Sequence, residues 1–273
     1  MEIKKFSFRG KAKNETTLVD FLSEVTPLSK SLIKKHANNG GVWIKRRGRG
    51  PLNRIRRVKT VLTSEDYIEC HYDPNLPEVD MELVQQIHET KEWGVWYKPA
   101  GVLTEGTKYG DQASLIRHIE KNKPHAYPIQ RLDRETSGLM VVAYKEKVSR
   151  IFNSATKKGL ITKFFQAEVL GCPRSSEGEI SFNIDGKSAK TTYKVHEELE
   201  LSTLIEIKME TSRFHQARQH FAKIKHPIIG DPKYGRHNKN DDGLKLVAYK
   251  VELKDPISKK DHLFVLPDEL RLF

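Results

Sequence analysis

The chain has 273 residues, 37% of them hydrophobic, which is enough for one large or two smaller packed domains. Its formal net charge of +12 at pH 7 favours a polyanionic partner. Two distant cysteines, Cys70 and Cys172, argue against a disulfide framework or a zinc site, and no apolar run approaches the roughly 18 residues of a membrane helix.

The charge is uneven. Residues 1–75 hold 16 Lys/Arg against 8 Asp/Glu, a net +8, which leaves +4 for the other 198 residues. A basic binding module joined to a more neutral body is expected. The opening MEIKKFSFRG has no apolar stretch after it and does not read as a secretory signal, so a cytoplasmic protein is expected. No HExxH and no His/Cys pairing is present, and no GxGxxG or GxxxxGK[ST]. No metal and no cofactor is therefore expected.

From the N-terminus, Leu18, Phe21, Leu22 and Val25 share one helical face. Pro27 breaks the pattern, and Ser29 is a candidate cap for a second helix, Lys30 to Ala37. Asn38-Asn39-Gly40-Gly41 is a stop and turn. Val42 to Ile44, Val58 to Leu62 and Tyr67 to Tyr72 read as strands. Helix–turn–helix, a glycine turn and short strands together resemble an S4 RNA-binding domain. Between the strands, Lys45, Arg46, Arg47, Arg49, Arg54, Arg56, Arg57 and Lys59 crowd fifteen residues with no acid among them. Such a loop suits phosphate contact better than base reading.

Asp73 to Glu78 reads as a linker, and residues 80–90 as a short helix or an irregular connection. Trp93 to Tyr97 is a strand that ends in Lys98-Pro99-Ala100-Gly101, a fixed turn. Ser114 caps a helix to Asn122, and Val148 to Lys158 is another. Phe164 to Leu170, Ile180 to Ile184, Thr191 to His196, Leu204 to Met209 and Leu244 to Leu253 read as strands. Many strands with few helices between them predict an α+β fold with a largely antiparallel mixed sheet. The expected domains are 1–75, a linker at 76–85, and a body at 86–273.

One stretch uses charge unusually. In RLDRETSG, Arg131 to Gly138, an acid stands between two arginines ahead of the apolar run Leu139 to Ala143. A carboxylate beside a buried strand is costly unless it is paired. Asp133 is therefore the first candidate for a reactive group. RLDRETSGLMVVA resembles the signature HRLDxxTSGLLLxA of the RluA-type pseudouridine synthases. Other blocks follow in the same order. WYKPAG resembles a strand followed by NKPxG, and KFFQA resembles KxYxA. The residues Thr211 to Arg218 resemble GRTHQIR, and PIIGDPKYG resembles HPIxGDxxYG.

The resemblance implies an RNA isomerase. Asp133 would be the nucleophile and Arg218 the partner that favours its charged form. Phe165, where tyrosine is usual, would stack on the target base. Arg131 would fill the stack left by a flipped uridine, with Arg134 and Arg213 nearby on the RNA. Detaching, rotating and rejoining a base at carbon needs a carboxylate and no metal or redox group. His215 as a general base is weighed and set aside. The expected partner is structured RNA, ribosomal in preference to transfer RNA, with no membrane, bound by a monomer. Gln130, Ser212, Ala217 and Phe165 depart from the pattern. They leave open an inactive RNA-binding or ribosome-assembly protein on the same fold. A DNA-binding regulator lacks any helix with base-reading residues along one face.

Overall fold

The computed structural model describes residues 3–235, 238 and 240–273. Contacts divide the chain into two compact units, Met1–Met81 with Glu105–Asn122, and Glu82–Thr104 with Lys123–Phe273.

The first unit opens with strand β1 (Phe6–Lys11), followed by β2 (Thr16–Thr17). Helix α1 (Leu18–Val25) begins where the Thr17 hydroxyl accepts the Asp20 amide at 3.2 Å. Leu18, Phe21 and Leu22 are buried as their spacing predicts, whereas Val25, the fourth of the stripe, is 39% exposed. Ser29 caps α2 (Lys30–Asn38) by accepting the Leu32 amide. Strands β3 (Val42–Lys45), β4 (Asn53–Arg54), β5 (Val61–Leu62) and β6 (Tyr67–Tyr72) follow. The sheet order is β1-β6-β3-β4, with β2 paired to β5 apart from it. The expected strand Val58 to Leu62 shrinks to its last two residues. A turn in which the Thr60 amide donates to the Arg57 carbonyl takes up its start. Leu18, Leu22, Ile33, Val42, Leu62 and Ile68 form the core. Helix α3 (Leu115–Ile119), capped by Ser114, belongs to this unit through the segment 105–122.

The second unit is a mixed sheet of ten strands. They are β7 (Gln85–Glu89), β8 (Trp93–Lys98), β9 (Tyr127–Pro128), β10 (Ser137–Ala143), β11 (Ile161–Leu170), β12 (Glu177–Ser181), β13 (Lys190–Glu198), β14 (Ser202–Met209), β15 (Leu246–Lys254) and β16 (Asp261–Val265). The order is β12-β13-β14-β11-β15-β10-β8-β7, with β16 beside β15 and β9 beside β10. The pair β10–β15 is parallel, and the other pairs are antiparallel. This is the expected α+β architecture. Residues 85–89, expected as a helix or a connection, instead extend the sheet edge along β8. The amphipathic helix α4 (Glu146–Lys157) lays Val148 and Phe152 on Trp93, Val95, Leu139 and Val141. Helix α5 (Gln216–Lys223) buries Ala217, Arg218 and Phe221.

Candidate active site

Asp133 lies in the loop between β9 and β10, and two clamps fix that loop. Thr104 Oγ1 donates to the Leu132 carbonyl at 2.8 Å and accepts the Leu132 amide at 3.2 Å. Lys98, fully buried, donates to the carbonyls of Val102 at 2.7 Å, Pro99 at 3.1 Å and Arg134 at 3.3 Å. Three carbonyls thus hold the Lys98 nitrogen beneath the residue that follows Asp133. Burial draws the Lys98 ammonium down to about 7, although Asp133 and Glu135 act in the other direction. The Gly101 amide closes the same turn onto the Arg134 carbonyl at 2.8 Å. Lys98-Pro99-Ala100-Gly101 is thus an anchor for the loop. Past Asp133, the Thr136 amide donates to the Asp133 carbonyl at 3.2 Å, and the chain enters β10.

The partner of Asp133 comes from α5. Arg218 Nη1 donates to Asp133 Oδ2 at 3.2 Å. Its stronger engagement is with Asp231, where Nε and Nη2 meet the two carboxylate oxygens at 2.8 and 2.9 Å. Asp231 also accepts the amides of Lys233 and Tyr234 at 2.8 and 2.9 Å. Burial works against the Asp231 carboxylate, but Arg218 and these amides hold it below its usual 3.8. Burial likewise works against the Arg218 cation, and Asp231 then Asp133 more than offset it, raising Arg218 above its ordinary value. The carboxylates differ in access: Asp231 is sealed at 0% side-chain exposure, whereas Asp133 keeps 21%. One carboxylate holds the arginine, and the arginine holds the other at the surface. Asp231 lies in the quoted PIIGDPKYG block. Nothing in the spacing pairs it with a residue thirteen positions earlier, and only its place in a Gly-Asp-Pro turn hints at a structural role.

His215 completes the group. It precedes α5 in the left-handed region, at φ 52° and ψ 31°. That backbone sets Nε2 3.5 Å from Asp133 Oδ2 and Nδ1 3.1 Å from the Tyr234 hydroxyl. Burial pulls the imidazole below its usual 6.5, with Asp133 acting in the other direction. The fixed cation beside Asp133 is the Arg218 guanidinium. Gln216 pins the approach to α5. Its amide donates to the Lys190 carbonyl and the Thr191 hydroxyl at 2.9 Å each, and accepts the Arg213 amide at 3.1 Å.

The other expected residues fall in different settings. Phe165 is buried in β11 opposite Ile207, where the ladder to β15 shifts register between Phe164 and Gln166. Arg131 is exposed; Arg134 is exposed with Nε 3.3 Å from the Gly101 carbonyl. Arg213 donates to the Ser188 carbonyl at 3.1 Å. In the basic loop, Arg46, Arg47, Arg49, Arg57 and Lys59 are exposed, with Lys45 half-buried. Arg46 meets Asp66 at 2.7 Å while keeping half of its side chain in solvent. Arg54 and Arg56 turn inward. They pair with Asp111 at 3.3 and 2.6 Å, and the Arg54 guanidinium lies 4.1 Å from the Trp43 ring centroid. Two of the cations counted for RNA contact thus hold the segment 105–122 within their own unit. No group of three or more His, Cys, Asp or Glu able to hold a metal occurs among the described residues, and no described helix is long and apolar enough to cross a membrane.

Two accessible carboxylates, Asp133 at 3.2 Å and Glu135 at 3.8 Å, thus face the buried Arg218 guanidinium. Residues 92–223 match the family described as RNA pseudouridylate synthase. An uncharacterised RNA pseudouridine synthase of Mycoplasma genitalium is 29% identical over 76% of this chain and 72% of its own length. Ribosomal large subunit pseudouridine synthase D of Escherichia coli is 32% identical over 65% of this chain, which spans 59% of that protein. The solved human RNA pseudouridylate synthase domain containing 1 shares the fold, with a TM-score of 0.59 at 20% identity over 70% of this chain and 86% of that one. The similarity to RNA pseudouridine synthases thus covers residues 92–223 in the family match and 76% of the chain in the Mycoplasma relative.

Proposed function

We propose that this chain converts uridine to pseudouridine in structured ribosomal RNA, with Asp133 as the nucleophile. The observation that carries this reading is the Asp133 carboxylate, open to solvent yet fixed by the Arg218–Asp231 pair. In the isomerisation the bond from ribose C1′ to uracil N1 breaks, and a bond from C1′ to C5 forms. The C5 proton leaves and N1 gains one, so composition is unchanged. A carboxylate held beside a guanidinium can stabilise or trap the sugar while the base turns. The uridine must leave its stack first. Arg131, exposed two residues before Asp133, suits the vacated space, whereas Phe165 is buried and would stack on the base only if its ring were uncovered. The preference for ribosomal RNA rests on relatives named for the large ribosomal subunit. Residues 1–75, with the segment 105–122 of the same unit, would act as an S4-like RNA-binding module that supplies affinity, 76–85 as a linker, and the rest of 86–273 as the catalytic part. The protein would work in the cytoplasm as a monomer.

Mapping pseudouridine in ribosomal and transfer RNA, with and without the gene, tests the reading. Loss of one or more ribosomal sites is expected. Those sites should return with the wild-type gene and stay absent with Asp133→Asn. Restoration by Asp133→Asn would refute the nucleophile. Unchanged maps would favour the binding-only protein on the same fold.

A further inference from the structure

We propose that Phe214 is a stacking platform for an RNA base that neighbours the target uridine. The inference rests on the reading of Asp133 as the reactive group, and it adds a specificity contact beside it. Scattered exposed apolar side chains need no explanation. Phe214, 62% exposed, is set apart by its position. Its ring stacks on His215 at 3.7 Å between centroids and 22° between planes. His215 Nε2 is in turn 3.5 Å from Asp133 Oδ2, so one ring separates Phe214 from the carboxylate.

The exposure is held in place. On one side the Arg213 amide is fixed by Gln216 Oε1 at 3.1 Å. The Phe214 carbonyl accepts from Gln219 Nε2 at 2.8 Å. Next, His215 takes the left-handed backbone, which non-glycine residues adopt uncommonly. Lys233 Nζ lies 5.4 Å from the Phe214 ring centroid. A fixed aromatic face beside a cation, next to a carboxylate that would receive a uridine, matches the pairing of base stacking with phosphate charge used to hold unpaired RNA. The block that this segment resembles, GRTHQIR, has a small hydroxyl residue at the same place, so the platform belongs to this chain's own sequence.

The test uses the full chain, an oligouridylate 12-mer, and heparin as a polyanion without bases. Phe214→Ala should weaken oligouridylate binding roughly 5- to 100-fold and leave heparin binding unchanged. Phe214→Tyr should keep wild-type affinity. In Phe214→Trp, emission above the wild-type background should be quenched by oligouridylate and not by heparin. Equal losses for both ligands with Phe214→Ala would make the residue a structural support and overturn the proposal. Unchanged binding of both would overturn it too. Neither readout needs turnover, so a failure of the Asp133 assignment would be seen separately in the Asp133→Asn map.

Discussion

Asp133 owes its setting to a residue that the motif reading left without a role. Asp231 uses both oxygens on Arg218, which leaves one guanidinium nitrogen for Asp133. Asp231→Asn keeps acceptor oxygen for the Lys233 and Tyr234 amides but removes the charge. Breaking a buried pair this way costs about 3–5 kcal/mol, and Arg218 would then swing toward Asp133 and Glu135. Turnover is expected to fall at least about tenfold, with RNA affinity nearly unchanged, because affinity comes mostly from phosphate contacts. A folded variant with wild-type turnover would refute the relay. The Asp231 carboxylate is held low, so its contribution to stability is present above pH 3.8 and is lost as pH falls through its folded value. Lys163 gives the opposite dependence. It is buried in β11 with no hydrogen-bond partner, and burial brings it down from 10.5 to about 7. The unfolded chain binds more protons between those values, so stability should rise as pH increases from about 7 to 10.5. Lys163→Met should flatten that rise and stabilise the fold at pH 7 by about 1–3 kcal/mol. Melting curves across this range, compared with wild type, decide the point, and an unaltered slope would sink it.

At the level of elements, legibility followed local chemistry. Thr17, Ser29 and Ser114 are side-chain caps, and the helices begin just after them. Strands with continuous apolar runs, such as Leu139 to Ala143, were equally plain. Edge strands were not. β7 carries one aliphatic residue in Gln85–Glu89 and exists through its pairing with β8, while β16 exists through β15. Within the site, the Asp133–Arg218 pair follows from motif resemblance. The Asp231 anchor, the carbonyl cradle of Lys98 and the Thr104 clamp depend on distant backbone, which no local pattern reports. Gly138 sits between these cases. Its place in Thr-Ser-Gly reads as a turn, yet it is a strand residue at φ +130°, paired with both Lys98 and Ala248. A Cβ there would collide with the Ala248 backbone, so the parallel junction of β10 and β15 admits no side chain. Gly138→Ala should cost about 1–3 kcal/mol or more from overpacking and strain. It should also lower turnover, since the Asp133 loop leads directly into β10. A melting temperature within a degree of wild type would contradict this.

Across the molecule, the basic loop divides into charges that face solvent and charges that hold the fold. Replacing Arg47, Arg49 and Arg57 together with Gln, and leaving Arg46 on the buried Asp66, should weaken RNA binding and reduce the slope of log affinity against log salt. At about 0.7–0.9 per phosphate contact, three lost contacts reduce it by roughly 2–3. Single-turnover rates at saturating RNA should persist, because Asp133, Arg218 and Asp231 are untouched. An unchanged slope would remove the loop from the binding surface. Arg54→Gln or Arg56→Gln should act differently, lowering the melting temperature more than the salt slope, because Asp111 would lose a buried partner. Deleting residues 1–75 is a poorer test, since it strips the segment 105–122 of these partners. That segment also has a consequence during synthesis. Residues 1–81 emerge from the ribosome first, but the piece that pairs with Arg54 and Arg56 is complete only about forty residues later. At roughly 5–20 residues per second the nascent chain waits some seconds for it. For that interval two arginines that end in an ion pair are cationic side chains without their acid, on a growing polypeptide beside the most abundant RNA in the cell.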